Sequence, residues 1–405
     1  MVLELDAGLE FHPENDADFF SLLPQQPAVC LVASRKADVE PYLIRTADLR
    51  RRLQRLLGPA DPGSKRLNLR EFAHMVRYRE TGSGFEQALA YYQNARRFFP
   101  KRYSQLVRLR PAPILKINLR NAYPRCFVTR RIVVNEQGAP TAGAYYGPFR
   151  SRKSAEAFAE SVLDFFKVRR CQIKIQRDPS YPGCMYSEMK MCLAPCFAGC
   201  SKEEYDLEVG RLVQFMDTSG GSLQERLAQE RDEASEQLDF EKAATVHKKI
   251  EKLDDALRGQ PELVRRVELL DAVVLQRSTQ EHTVALYAIR GGRLAEPFWL
   301  HFGDTGKPAS AEETVRDYLE SVTNAAANAN ANTRQSATEL GEHLTLLSRW
   351  FFSNPRDGEI FFREKDWPYR RILRACSRLL APKAEQTQAK DTGKAGGDAQ
   401  SEETK

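Results

Sequence analysis

Five of the eight cysteines fall within thirty residues, at positions 171, 184, 192, 196 and 200, and four of the five share the stretch "CMYSEMKMCLAPCFAGC". The N-terminus, "MVLELDAGLEFHPENDADFF", is acidic and mixed, without the basic start and apolar middle of a secretory leader. The expected compartment is the cytoplasm, where disulfides are rare and clustered thiols point to metal. Four thiolates suit tetrahedral zinc or an iron–sulfur cluster. Zinc ribbons pair their cysteines as Cys-x-x-Cys, and here no pair is closer than four residues. Spacings of 13, 8 and 4 are awkward for a zinc knuckle and acceptable for a cluster that draws its ligands from loops. The favoured ligand set is Cys171, Cys184, Cys192 and Cys196, with Cys200 a spare or a substitute. Buried, unligated thiols are the plain alternative.

Charge is spread as unevenly as sulfur. Between Pro41 and Arg130 there are 20 Lys/Arg against 5 Asp/Glu; between Ser201 and Glu262 acids outnumber bases 16 to 9. A basic block beside an acidic one suggests a part that binds a polyanion and a part that binds protein. The basic block also carries aromatics, among them Tyr42, Tyr78, Tyr91, Tyr92, Phe98 and Tyr103, which favours nucleic acid over a solvated surface. No run of eighteen apolar residues is present, so no membrane partner is expected.

Length allows two to four domains. Strand-like runs at 27–46 and 72–80 flank a helix at 47–58, and a second helix follows at 85–100. Two more strands are expected within 113–134, then a turn at Gly147-Pro148 and a helix bearing Phe158, Val162, Phe165 and Phe166. From Lys202 to about Leu257 the chain reads as helical. Leu223, Leu227, Ala234 and Leu238 form one stripe and Val246, Ile250, Leu253 and Leu257 another, with Asp239 placed to cap the second helix. The stripes predict an antiparallel hairpin. Strands return at 268–302 around Gly291-Gly292, and a helix-rich portion runs to Leu380. The low-complexity "NAAANANANTRQS" is expected as a loop, and the tail from Pro382 as disordered.

"YYGPF" at 145–149, the cysteine pattern ending in "CLAPC", "EEY" at 203–205 and "LDFEKAA" at 238–244 together resemble UvrC, the incision subunit of the bacterial excinuclease, over roughly residues 27–375. The resemblance implies a [4Fe–4S] cluster on the four cysteines. It implies that "LDFEKAA" is a UVR motif that docks on a UvrB-like protein, with Leu238, Phe240, Glu241, Ala244 and His247 at the contact. His247 and Lys248 stand where the motif usually has Arg-Asp. It also implies a GIY-YIG nuclease fold for the first unit, in an eroded form. The Gly-Ile/Val-Tyr motif falls on Ala28-Val29-Cys30, and Tyr-Val-Gly-Lys on Tyr42-Leu43-Ile44-Arg45. The helix arginine matches Arg52. The metal-binding glutamate falls on Tyr91, with Glu86 matching only the first acid of its pattern. The expected fold class is thus α+β and multidomain: an N-terminal extension at 1–26, a degenerate GIY-YIG-like domain at 27–110, linker strands and the cysteine cluster at 111–200, the UVR hairpin at 201–262, an α+β region at 263–381, and the tail at 382–405. The carboxylate-bearing strand of the family's RNase H-like nuclease does not appear in the sequence, so the second nuclease is expected to be missing.

Phosphodiester hydrolysis on this fold needs a tyrosine-assisted water, an arginine on the phosphate and a carboxylate holding a divalent ion such as Mg²⁺. Tyr91 cannot supply that carboxylate's charge. The expectation is a protein that contacts DNA through Arg45, Arg50, Arg51 and Arg55 but cuts it weakly or not at all. Two alternatives remain open: an endonuclease making a single incision with Tyr42, Arg52 and Glu86, and a redox-responsive iron–sulfur protein that binds nucleic acid.

Overall fold

A strand that is apolar at every position must be covered on both faces, and "AVCLVA" at 28–33 is such a strand. The computed structural model describes residues 3–36, 38–59, 63, 65–303, 308–325 and 336–381. Its N-terminal unit comprises β1 (Ala7–Glu10), α1 (Asp16–Leu22), β2 (Ala28–Ala33), β3 (Tyr42–Thr46), α2 (Leu49–Leu57), β4 (Met75–Glu80), α3 (Gly84–Phe98) and α4 (Tyr103–Val107). The sheet is antiparallel in the order β1-β4-β2-β3. Ala28, Cys30 and Val32 bury against Leu49, Leu53 and Leu57 of α2, while Val29 and Leu31 bury against Phe85, Leu89 and Tyr92 of α3. Asp48 caps α2, accepting from the Arg51 N–H at 2.9 Å. The stretch expected to stand apart at 1–26 is built into this unit. Ala7 pairs with Tyr78 and Glu10 with Met75, and Phe11, Phe19 and Leu23 bury in the α2-side core. Its strand is only four residues long, too short to show a period.

The middle unit holds β5 (Ile114–Ile117), β6 (Cys126–Thr129), β7 (Ala144–Gly147), α5 (Arg152–Leu163), α6 (Met185–Glu188), α7 (Lys202–Asp217), α8 (Gly221–Glu236), α9 (Phe240–Arg258) and β8 (Arg265–Arg266). Its sheet runs β6-β5-β7-β8, so the chain returns after the helices to finish it. The helical block is three helices rather than one pair. It breaks before α8 at Gly220, which has φ +95° and is crowded by Leu257: a Cβ there would lie 2.5 Å from Leu257 Cδ1. α8 and α9 are antiparallel, with Gln224 Nε2 donating to Asp254 Oδ1 at 3.0 Å. Leu223, Leu227, Ala234, Val246 and Leu253 are buried along the pair. Leu238 departs from its stripe: it sits in the turn at φ 57° and is 72% exposed. Asp239 caps α9, accepting from the Lys242 N–H at 3.0 Å.

The C-terminal unit has β9 (Ala272–Arg277), β10 (Thr283–Arg290), β11 (Arg293–Leu294), β12 (Phe298–His301), α10 (Pro308–Ala325), α11 (Ala337–Phe351), β13 (Glu359–Phe362) and α12 (Tyr369–Leu380). The sheet order is β11-β10-β9-β13, with β12 also on β10. β13 lies inside the portion expected to be helical; "EIFF" is a strand because β9 offers it a ladder. Residues 326–335 of the expected loop and the whole tail from 382 lie outside the described residues. α3 is shared between units: Phe85 meets Tyr287 of β10 edge to face at 5.1 Å and Trp350 of α11 at 5.5 Å. No described helix is long and apolar enough to cross a membrane.

Candidate nucleic-acid interface and cysteine centre

The aromatic residues of the sequence motifs are tethers. Tyr145 donates to the Thr141 carbonyl at 3.0 Å and accepts from the Val133 N–H at 3.1 Å. Tyr146 donates to Asp217 of α7 at 2.8 Å. Tyr205, from "EEY", donates to the Pro124 carbonyl at 2.7 Å and accepts from the Arg169 N–H at 3.1 Å. Arg169 is buried and donates to the carbonyls of Tyr123 at 2.8 Å and Ile173 at 2.9 Å, with Nη1 3.7 Å from Cys171 Sγ. α7, tied to β7 and to Arg169, thus fixes the chain on either side of the cysteine loops. Nothing in the sequence distinguishes Arg169 from its basic neighbours; only its burial does.

Burial pushes the Cys192 thiol up to about 11, with Cys171, Cys184 and Cys196 raising it further and the Ala194 N–H, 3.3 Å from its sulfur, opposing. Cys196 is raised by burial, and Cys184 and Cys171 add to the effect. The favoured four are therefore within one another's electrostatic reach. Cys200 is raised by burial and then by Glu204, and of the other thiols only Cys196 acts on it. Among the described residues no three His, Cys, Asp or Glu side chains converge tightly enough to grip one metal ion.

In the N-terminal unit Glu86 lies on the α3 side of the sheet, while Tyr42 and Arg52, the other two residues put forward for catalysis, belong to the α2 side. Glu86 is 2% exposed and accepts from the Gly82 N–H at 2.9 Å, with Arg79 Nε 3.5 Å from its other oxygen. Burial raises its carboxyl above the usual range, opposed by Gly82 and Arg79. It closes the start of α3 and faces Arg79 on β4, not solvent. Tyr42 is half-buried, its ring packed on the α2-side core. Arg52 is half-exposed on α2. Tyr91, which the resemblance sets against the family's metal-binding glutamate, lies under Arg45 of β3, whose guanidinium carbon is 5.7 Å from the ring centroid. Register separates the two positions, because Val29 of β2 stands between Arg79 and Arg45. The Cys30 thiol, which the resemblance sets against the first motif's tyrosine, is fully buried.

The arginines expected on DNA divide into three groups. Arg51 and Arg55 are exposed on α2, with Arg52 half-exposed beside them. Arg50 is occupied, donating to the Leu23 carbonyl at 2.7 Å and the Ser21 carbonyl at 3.1 Å. Arg45 points to the opposite face of the sheet, into a cleft of about 360 Å³ lined also by Tyr91, Arg349 and Trp350. The proposed partner contact is better gathered: Leu238, Phe240, Glu241, Ala244 and His247 are all exposed at the turn and first two turns of α9, with Phe240 67% exposed.

Residues 112–215 match the family described as UvrC/Cho excinuclease, middle domain. Along the chain the sequence is similar to UvrABC system protein C of several bacteria. The Clostridium tetani protein is 24% identical over 307 residues, 73% of this chain and 47% of the relative. That of Dehalococcoides mccartyi is 26% identical over 305 residues, 74% and 49%; that of Carboxydothermus hydrogenoformans is 29% identical over 274 residues, 67% and 43%. The chain spans about half the length of the curated relatives it matches. No solved structure matches it. The chain is UvrC-like, as the sequence motifs imply, and its middle unit is where the family match falls.

Proposed function

We propose that this chain is a DNA-binding, UvrC-like component of nucleotide excision repair that contacts a UvrB-like partner and has weak or no nuclease activity of its own. The observation that carries this reading is the pair Tyr91 and Glu86. The resemblance sets Tyr91, a phenol under a guanidinium, against the metal carboxylate, and the nearest acid of the motif is buried against Gly82 and Arg79. Without a held divalent ion the developing phosphorane charge loses a stabiliser of several kcal/mol. Duplex contact falls to Arg51, Arg52 and Arg55 on the free face of α2. The exposed apolar tip of α8–α9 supports a UVR-type contact, in which Phe240 would anchor the partner's own helices.

Cys171, Cys184, Cys192 and Cys196 are the residues that would hold a [4Fe–4S] cluster, tying four loop segments into one structural unit. Cys171, Cys184 and Cys196 all act on the Cys192 thiol, which gathers the four in one neighbourhood and supports a shared group. Protein purified without oxygen should be brown, with thiolate-to-iron absorption; a colourless protein with stoichiometric zinc overturns the assignment. For the activity, end-labelled lesion-bearing duplex is incubated with the protein, UvrA, UvrB, ATP and Mg²⁺. Retention of the duplex without discrete incision is the expected result. A discrete incision that disappears in Arg52→Ala would establish the single-cut endonuclease instead.

A further inference from the structure

The cleft between β3 and α11 is built from two units and is distinct from the α2 face. Arg45 enters it from β3 and Arg349 from α11. Neither guanidinium has an ion-pair partner among the described residues. Arg45 lies over the Tyr91 ring, and Arg349 donates through Nη2 to the Arg108 carbonyl at 2.8 Å. Each is held by a neutral group, and the one acid among the lining residues, Asp357, forms an ion pair with neither. They also oppose each other: the Arg349 guanidinium is lowered from its ordinary value first by burial and then by Arg45. Like charges brought together at a cleft where two units meet are relieved by an anion between them.

The floor decides what kind of anion. Phe85, Ala88, Val107, Leu109 and Leu346 give it an apolar surface, and its volume of about 360 Å³ is at the low end of small-ligand sites, several times that of a bare phosphate. An anionic rim partner with a flat apolar body is a nucleotide. Aromatic and apolar surfaces take an unstacked base, and paired arginines take its phosphate, which is the usual chemistry of single-strand contact. We propose that this cleft binds one nucleotide of a single-stranded nucleic acid, with the phosphate between Arg45 and Arg349. Nucleic acid as the ligand class rests on the function proposed above; the site itself does not, because none of its α11 residues belongs to the duplex-binding face.

The test uses the full-length protein. Fluorescence anisotropy of a labelled oligothymidylate is measured against Arg349→Glu, Arg45→Glu and Arg349→Lys, with a labelled duplex run in parallel. Each charge reversal should weaken oligothymidylate binding roughly tenfold and lower the salt slope by about one, Arg349→Lys should keep most of the affinity, and duplex binding should stay as in the parent. Arg52→Ala should show the reverse pattern, so failure of the α2 reading and failure of the cleft reading are separable. Oligothymidylate affinity unchanged in both reversals overturns the proposal. Displacement of the oligonucleotide by thymidine monophosphate at millimolar concentration supports the site. A cleft that binds the free nucleotide, while the reversals leave oligonucleotide affinity untouched, assigns it to a small molecule and overturns the strand assignment.

Discussion

Glu86 shows how a side chain of the right type can be in the wrong place. Its carboxylate satisfies the Gly82 N–H and balances Arg79, which also pairs with Asp6 at 2.9 Å. Glu86→Ala leaves a buried donor and part of a guanidinium without an acceptor and should cost about 2–3 kcal/mol in urea unfolding. Glu86→Gln keeps an acceptor and should cost less than about 1 kcal/mol. Millimolar Mg²⁺ should raise the midpoint of neither the parent nor Glu86→Gln; a rise in the parent alone would return Glu86 to the role of metal ligand. His343 gives the pH dependence. Its Nδ1 accepts from the Leu294 N–H at 3.1 Å, which requires the neutral ring, and burial lowers its pKa from 6.5 to about 4, with Glu339 opposing and Arg293 and Arg96 assisting. The unfolded chain takes up this proton first. The stability His343 contributes is therefore present above about pH 6.5 and lost as the pH falls toward 4, on the order of 1–2 kcal/mol by pH 5. Urea midpoints of the parent should drop over that window, and those of His343→Gln should drop less. Equal slopes would show that His343 does not titrate in the folded protein.

In the α8–α9 hairpin the same periodicity yields two kinds of residue. Leu253 is fully buried on the inner stripe, and its truncation to Ala should cost about 2–4 kcal/mol. Phe240 begins α9 with its ring in solvent, so Phe240→Asp should leave the melting temperature within a degree or two while abolishing pull-down of UvrB. Retained pull-down would remove the tip as the docking face. The inner stripe was legible in the sequence because burial repeats every three to four residues. Leu238 was not, because a left-handed turn residue breaks the phase that its position in the stripe implied. Short elements were lost for a related reason: β1, β7 and β13 have four residues each, and their pairing partners, rather than their own pattern, make them strands. Of the candidate site, Tyr91 was legible by alignment to a motif. Arg349 was not, since it lies about 300 residues from Arg45 in the chain and only packing of α11 against α3 brings it in.

At the scale of the molecule, α3 removes the independence that a segmented sequence suggests. Phe85, Leu89 and Tyr92 bury in one core with Tyr287, Leu340, Leu344 and Trp350, so the N-terminal and C-terminal units share their interior. Polar contacts fasten the rim. Tyr92 and Tyr103 both donate to Glu342, at 2.7 and 2.8 Å, and Arg96 donates to Glu339 at 2.6 Å. A shared core of this kind unfolds as one unit, because exposing either half strips the other. The backbones of the two units approach closely at Gly82, where an added Cβ would fall 2.4 Å from the Arg277 carbonyl oxygen on β9. Backbone cannot yield as a side chain would, so Gly82→Ala must move the units apart. Calorimetry of the parent should show the N-terminal and C-terminal units melting in one transition. Gly82→Ala should destabilise by about 1–3 kcal/mol, the range for overpacking a filled interior, and should split that transition as the two units lose their common surface. It should also weaken oligothymidylate binding without touching duplex binding on α2, because Arg349 reaches the cleft only when α11 is seated on α3. Two separate transitions already present in the parent would show that the units are merely adjacent, and the cleft between them would then lack a fixed geometry.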